Sequence, residues 1–288
     1  MTGRQTDTGD ELRWLRGFGE TSAHRARHNL IALANKPADA ASMINSLSID
    51  PMLDVCDVRG RAISHARSQR RRFATDVLSL LARNVWARTD FSMTPTQAAK
   101  DYIAEHLDHL ATVPDRFAVA RKILRTVVGA NFQAVSKTPA FLTYVQLALV
   151  PITLASRIDG EQVRAALDAA DVELADKRTV VYQNAMRLFG LRIRDSDATP
   201  DDLTLVVSGA MLGMSLRSVI APERLNRIVD WQGEPWHLAA LGVAGIIDHW
   251  LELDPDYDPA TALDGYLREG TRTARTRSEI VQIPGRNS

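Results

Sequence analysis

The sharpest charge asymmetry in the chain is a basic run between Arg59 and Thr75. It contains no aspartate or glutamate, and its charged or titratable members are Arg59, Arg61, His65, Arg67, Arg70, Arg71 and Arg72. Guanidinium groups on neighbouring helical turns contact phosphates, and those near a helix start reach guanine edges in the major groove of DNA. The alternative is a solvated helix face whose acidic partners come from elsewhere in the chain. The run therefore predicts either a nucleic-acid contact or an ordinary charged surface.

The residues just upstream favour the nucleic-acid interpretation. A short apolar piece, Met52 to Cys56, leads through Asp57 and Val58 into a second segment that starts at Arg59. This pattern predicts a short helix, a tight turn and a second helix with a basic leading edge. Val58 and Ile63 would anchor the second helix to the core. The residues that would then face outward and contact DNA are Arg59, Arg61, Ser64 and His65. Further along, Arg70, Arg71 and Arg72 are predicted to contact phosphates.

Other side chains that could bind a metal or take part in catalysis form weaker patterns. His106 and His109 are three residues apart, which places both on one face of a helix, but a metal site needs a further ligand and no His-Glu-x-x-His motif is present. His249 follows Asp248 without a partner serine or cysteine motif. We therefore predict no catalytic residues, no metal and no cofactor. An enzyme built on His106, His109 and His249 is the competing hypothesis from another functional class.

Flexible thioethers and aromatic rings are spread over the second half of the chain. Such side chains suit a pocket for a hydrophobic small molecule, although they are equally typical of a core. The predicted pocket residues are Phe132, Phe141, Tyr144, Met186, Phe189, Met211 and Met214. Cys56, the only cysteine, lies among apolar residues and is predicted to be a buried structural thiol.

The bulk composition excludes several classes of protein. The chain has 288 residues, 45% of them hydrophobic, and its 35 basic and 35 acidic side chains balance. A core of useful size can form, while global charge gives no argument for a nucleic-acid or lipid partner. The first ten residues are polar, and the apolar runs 238–247 and 147–155 are shorter than a membrane helix requires. We therefore expect a cytoplasmic protein with no membrane partner.

Apolar residues that recur three or four apart predict an all-α fold. The longest helix is predicted over Glu161 to Phe189, and another over Pro200 to Ile220, where Thr199 caps the start and Pro222 follows the end. A third is predicted from Pro235 to about Leu253. The last two are apolar on more than one face, so we expect both to be largely buried.

The segment from Met52 to Leu78 resembles, without a gap, the second to fourth helices of the tetracycline-repressor (TetR) family of bacterial transcription regulators. Met52 and Leu53 match the family's Ile-Ala pair, Val58 its turn valine, and Ile63 the buried leucine of its recognition helix. Arg70 and Phe73 stand where the family has Lys and Leu. The segments Glu161 to Leu167 and Thr199 to Pro222 resemble the family's eighth and ninth helices. Asp57, Ser64 and Arg67 depart from the glycine, tyrosine and phenylalanine usual there.

The resemblance implies a helix-turn-helix three-helix unit followed by a larger helical ligand-binding and dimerisation domain. It predicts an N-terminal extension at residues 1–20, a DNA-binding domain at 21–75, an effector-binding domain at 76–254 and a polar tail at 255–288. The implied function is transcription regulation, as a repressor, by a homodimer that binds double-stranded DNA and a small hydrophobic effector. The alternative is a TetR-like ligand-binding or interaction protein that has lost DNA binding.

Overall fold

A computed structural model describes residues 20–59, 61–87, 93–266 and 268. Most of this part of the chain is helical, which confirms the all-α prediction. The helices are α1 (Glu20–Ala34), α2 (Pro37–Ser46), α3 (Ile49–Val55), α4 (Arg61–Ser68), α5 (Arg70–Arg83), α6 (Met93–Glu105), α7 (Val113–Lys137), α8 (Pro139–Thr153), α9 (Gly160–Phe189), α10 (Pro200–Ile220), α11 (Pro222–Leu225) and α12 (Leu238–Trp250), and residues 259–266 are also helical. A 3₁₀ turn covers Leu107–Leu110, and the strands are β1 (Leu191–Ile193), β2 (Ile228–Trp231), β3 (Glu234–His237) and β4 (Leu251–Leu253).

The chain divides into two compact units. Among the described residues, unit 1 contains those up to residue 87 together with 137–174, and unit 2 contains 93–136 together with those from residue 175 onward. Residue 75, where the predicted DNA-binding domain ends, lies inside α5, with buried residues on either side. The buried residues before and after it belong to the same apolar core.

The core of unit 1 is organised around α5. Every residue from Phe73 to Ala82 is buried, so this part of the helix is surrounded on all sides. It packs against α1, α3, α4 and α8, and one apolar cluster extends from Ala26 on α1 to Leu167 on α9. Unit 1 therefore consists of the N-terminal helices together with α8 and the first half of α9.

Helix starts and ends follow their capping chemistry. At Thr199 the hydroxyl accepts from the Asp202 N–H, and the Asp202 carboxylate accepts from the Thr199 N–H, which forms a complete capping box ahead of α10. The predicted limits of α9 and α10 are confirmed.

The third predicted helix is shorter than expected. Residues 235–237 are extended because β3 pairs with β2, and residues 251–253 are extended because β4 pairs with β1, both in antiparallel orientation. The helix α12 therefore covers only Leu238–Trp250. Gln232 and Gly233 have φ angles of 56° and 78°, as a two-residue hairpin turn of the primed type requires.

The expectation that α10 is largely buried is wrong. One face, with Leu203, Thr204 and Val207, is buried in unit 2. The opposite face exposes a stripe, hereafter the α10 stripe, that consists of Leu205, Gly209, Leu212, Gly213, Leu216, Val219 and Ile220. With a mean hydropathy of 1.6 over its best 18 residues, α10 is also long and apolar enough to cross a membrane by length and composition. Ser208, Gly209 and Ser215 interrupt its apolar residues, so no single uninterrupted run in the sequence has the length of the helix.

Candidate nucleic-acid interface

The turn between α3 and α4 is fixed by Asp57. This residue has a φ of 50°, in the left-handed region that aspartate tolerates better than most residues, and the Val58 N–H donates to the Leu53 carbonyl at 2.9 Å. The Asp57 carboxylate accepts a hydrogen bond from Arg25 on α1 and another, at 2.7 Å, from Arg59. These hydrogen bonds hold the pKa of Asp57 below its ordinary value. The aspartate therefore performs the conformational role of a turn glycine and adds an ion pair to α1.

The second helix, α4, has one buried and one exposed face. Val58 and Ile63 pack against the core of unit 1, as predicted, and Ala66 is buried. Ser64 and His65 are exposed, as predicted. The side chain of Arg61 lies outside the described part of the structure. The exposed face of α4 is thus free to meet a macromolecule while its inner face is held by the core.

The arginines of the basic run have two kinds of partner. Arg59 and Arg67 form ion pairs with Asp57 and Asp50, the latter at 2.9 Å. Arg70 donates to the Leu47 carbonyl at 3.0 Å and Arg71 to the Ile158 carbonyl at 3.1 Å. A carbonyl is neutral, so the charges of Arg70 and Arg71 are not cancelled by these bonds. They and the exposed Arg72 border a polar groove of about 680 Å³ whose lining also includes Ser68, Gln69, Thr75, Asp159 and Gln162.

The start of α9 is attached to α5 directly beside this groove. Thr75 accepts from the Asp159 N–H at 2.9 Å, and Asp76 accepts from the Gln162 side-chain amide at 2.8 Å. Burial raises the pKa of Asp76, although the Gln162 hydrogen bond and the charge of Arg72 oppose the shift. The sequence does not reveal Asp50, Asp159 and Gln162 as neighbours of the basic run, because they are distant in sequence from the arginines and carry no local signal.

Because the pKa of Asp76 is raised, the stability of the protein is expected to depend on pH. The pKa of Asp76 is higher in the folded than in the unfolded protein, so the folded state binds the proton more tightly. The free energy of unfolding therefore falls as the pH rises from the pKa of the unfolded state through that of the folded state. Asp76→Asn keeps an acceptor for Gln162 and removes the buried charge, so we expect a larger free energy of unfolding at pH 7. The gain should shrink towards pH 4. Urea unfolding at both pH values checks this, with the exposed Asp168→Asn as control. An Asp76→Asn protein that is less stable at pH 7 would contradict it.

Cys56 and the candidate histidines have different surroundings. Cys56 is buried, and burial raises the pKa of its thiol to about 12, in agreement with an unreactive structural thiol. The rings of His106 and His109 meet edge to face at 5.3 Å, and the His106 Nδ1 lies 2.9 Å from the Tyr102 carbonyl oxygen. His249 is exposed. Among the described residues, no three His, Cys, Asp or Glu side chains meet as a metal site.

The predicted pocket residues fall into different parts of the fold. Phe141 and Tyr144 belong to unit 1, where the Tyr144 hydroxyl donates to Asp171 at 2.6 Å. In unit 2, Met186, Met211 and Met214 pack in one apolar cluster, Phe189 packs in a second, and Phe132 contacts the His237 ring. The structure therefore brings the three methionines together but does not gather all seven residues. A ligand pocket among them stays a prediction.

No protein-family model, curated protein or solved structure matches the chain.

Proposed function

We propose that the protein is a DNA-binding transcription regulator whose recognition helix is α4. The observation that carries the proposal is the pair α3–α4, in which a left-handed turn at Asp57 joins two short helices and leaves Ser64 and His65 exposed. Two short helices joined by a tight turn, with the second exposed along one face, are the geometry that fits the major groove. The resemblance to the TetR family in the segment Met52 to Leu78 supports the same proposal.

Within this proposal the side chains divide between base and phosphate contacts. Ser64 and His65 would reach base edges from the exposed face of α4, together with Arg59 and Arg61 at its leading edge. Arg70, Arg71 and Arg72 lie at the start of α5, where the positive end of the helix dipole adds to their charge. They would contact phosphates, which fix the register of a protein on DNA without reading its sequence.

We further propose that two copies of the chain associate through the α10 stripe. Monomeric proteins rarely expose a continuous apolar surface of this kind. Nothing lies within 4 Å of a Cβ added at Gly209 or Gly213, so a second helix can approach closely there. A stripe with small residues in its middle and leucines around them fits a second copy of itself across a two-fold axis.

A second copy explains the stripe better than a membrane does. Ser208 accepts from Arg178 at 3.1 Å, and the Thr204 and Thr179 hydroxyls bond at 2.8 Å, so the other face of α10 is held to α9 by polar contacts. Insertion into lipid would break these bonds without replacing them. In the dimer, an apolar small molecule bound to unit 2 would regulate DNA affinity if it favoured one spacing of the two α4 helices over the other.

One observation favours the alternative, a ligand-binding or interaction protein without DNA binding. The ion pairs Arg59–Asp57 and Arg67–Asp50 already supply acidic partners for two arginines of the basic run. Arg70 and Arg71 donate to neutral carbonyls and keep their charge, however, and exposed ion pairs are weak enough to be exchanged for phosphate contacts. DNA binding therefore remains the better supported of the two functions.

The direct test is DNA binding by the purified protein. Fluorescence anisotropy would use the duplex upstream of its own coding sequence and a scrambled duplex of equal composition, each at two salt concentrations. We expect tighter binding to the upstream duplex. His65→Glu should weaken it about tenfold or more, because a carboxylate would face bases and phosphates from the exposed side of α4. His109→Glu, the same change at an exposed histidine of unit 2, should leave the affinity unchanged.

Equal affinity for both duplexes, or equal affinities of the two variants, would contradict the proposal. Thermal melting of both variants provides the folding control, since both substitutions are at exposed positions.

A further inference from the structure

The most unusual buried charge in unit 2 belongs to Arg116 on α7. Arg116 is only 5% exposed, yet no carboxylate pairs with it in the described part of the chain. Its Nη1 donates to the Leu110 and Ala111 carbonyls at 3.5 Å each, the outer limit of a hydrogen bond, and its Nε has no partner. The guanidinium is thus buried with one edge unused.

A buried guanidinium without a carboxylate partner is expected to bind an anion. Buried charges in folded proteins are normally paired, and a guanidinium presents its N–H donors in a planar fork that matches a carboxylate. The Tyr257 ring lies 4.2 Å from the guanidinium carbon, and the Tyr257 hydroxyl donates to the Leu188 carbonyl at 2.7 Å. The ring holds the arginine in place, but it supplies no negative charge.

Arg116 lies beside an apolar cluster of unit 2. Leu110 and Leu188, whose carbonyls bond to Arg116 and to Tyr257, belong to an apolar cluster that also contains Ile103, Val119 and Phe189. Leu263 and Tyr266 pack against the same cluster. An anion that reached Arg116 would therefore need a hydrophobic body beside its charged group.

We propose that Arg116 anchors a binding site in unit 2 for a monocarboxylic acid with an apolar body. The carboxylate meets the Nε edge of the guanidinium, and the apolar part of the acid packs with Ile103, Leu188 and Phe189. A carboxylate suits a single guanidinium among apolar side chains, because one negative charge is matched and none is left uncompensated. The site goes beyond the proposed DNA binding and does not depend on it, since acid binding is measured without DNA.

The test compares two ligands that differ only in their head group. Isothermal titration calorimetry at neutral pH would use octanoate and 1-octanol, both below the concentration at which octanoate forms micelles. We expect the wild-type protein to bind octanoate at least tenfold more tightly than the alcohol. Arg116→Met should abolish this preference. Arg121→Met, on the same helix but with an exposed guanidinium, should retain it.

Equal binding of the two ligands, or no binding of octanoate, would overturn the proposal, as would a preference that survives Arg116→Met. In those cases Arg116 serves only to bond the carbonyls of Leu110 and Ala111. If Arg116→Met does not fold, the comparison of octanoate with octanol on the wild-type protein decides alone. A negative result in the DNA assay would leave this outcome unaffected, so the two proposals fail separately.

Discussion

Leu216→Glu is expected to convert the protein from a dimer into a monomer. Leu216 is 44% exposed in the single chain and lies in the middle of the α10 stripe, between Gly209 and Ile220 along the helix. In a two-fold interface the new carboxylate would be buried twice without a partner. An uncompensated buried charge costs roughly 3 kcal/mol or more, so the dimer should be weakened by at least about a hundredfold.

Sedimentation velocity over a range of protein concentrations measures this effect. Ile152→Glu is the matched control, because Ile152 is 78% exposed but lies on α8, in unit 1 and outside the stripe. The control protein should sediment as the wild type does. A wild-type protein that is monomeric at all concentrations would contradict the dimer proposal. Flotation of that monomer with phosphatidylcholine vesicles would then point to the membrane as the occupant of the stripe.

The dimer prediction also bears on DNA binding. A regulator that binds as a dimer places two recognition helices on half-sites about one helical turn apart, and each contributes to affinity. The Leu216→Glu monomer should therefore bind the upstream duplex much more weakly than the dimer, although its α4 is unchanged. Retained affinity in a proven monomer would show that one α4 is sufficient.

Local chemistry explains which elements the sequence could predict. The limits of α10 were predictable because Thr199 and Pro200 determine where the helix begins, and Pro222 follows directly after its end. The hairpin of β2 and β3 was missed, since each strand has only four residues and the apolar pattern of α12 follows immediately. The exposed stripe of α10 was missed for another reason: an apolar face looks the same in sequence whether the chain's own core or a second copy covers it.

The candidate interface shows the same distinction between local and distant information. The turn and the outward positions of Ser64 and His65 could be predicted from the spacing of Val58 and Ile63. The ion pair of Arg67 with Asp50 and the bond from Arg71 to the Ile158 carbonyl could not, because these partners lie 17 and 87 residues away. The extent of unit 1 was unpredictable for the same reason, since α8 and the first half of α9 join it only through the folded core.

Thr75→Val is expected to destabilise unit 1 by roughly 1 to 3 kcal/mol. Thr75 is buried, and its hydroxyl donates to the Arg71 carbonyl at 3.0 Å while it accepts from the Asp159 N–H at 2.9 Å. Valine has the same shape but no acceptor, so the backbone N–H of Asp159 would lose its partner. Urea unfolding measures the loss. Thr126→Val is the matched control, because Thr126 also bonds to the carbonyl four residues earlier but is exposed.

The same substitution tests whether the start of α9 positions the phosphate-contacting arginines. Arg71 donates to the carbonyl of Ile158, the residue directly before Asp159, so loosening this segment should also free Arg71. If that contact orders the arginine for DNA, Thr75→Val protein that is still folded should bind the upstream duplex less tightly, whereas Thr126→Val protein should not. An unchanged affinity together with reduced stability would separate the two roles, because it would show that the attachment of α9 to α5 stabilises the core without organising the interface.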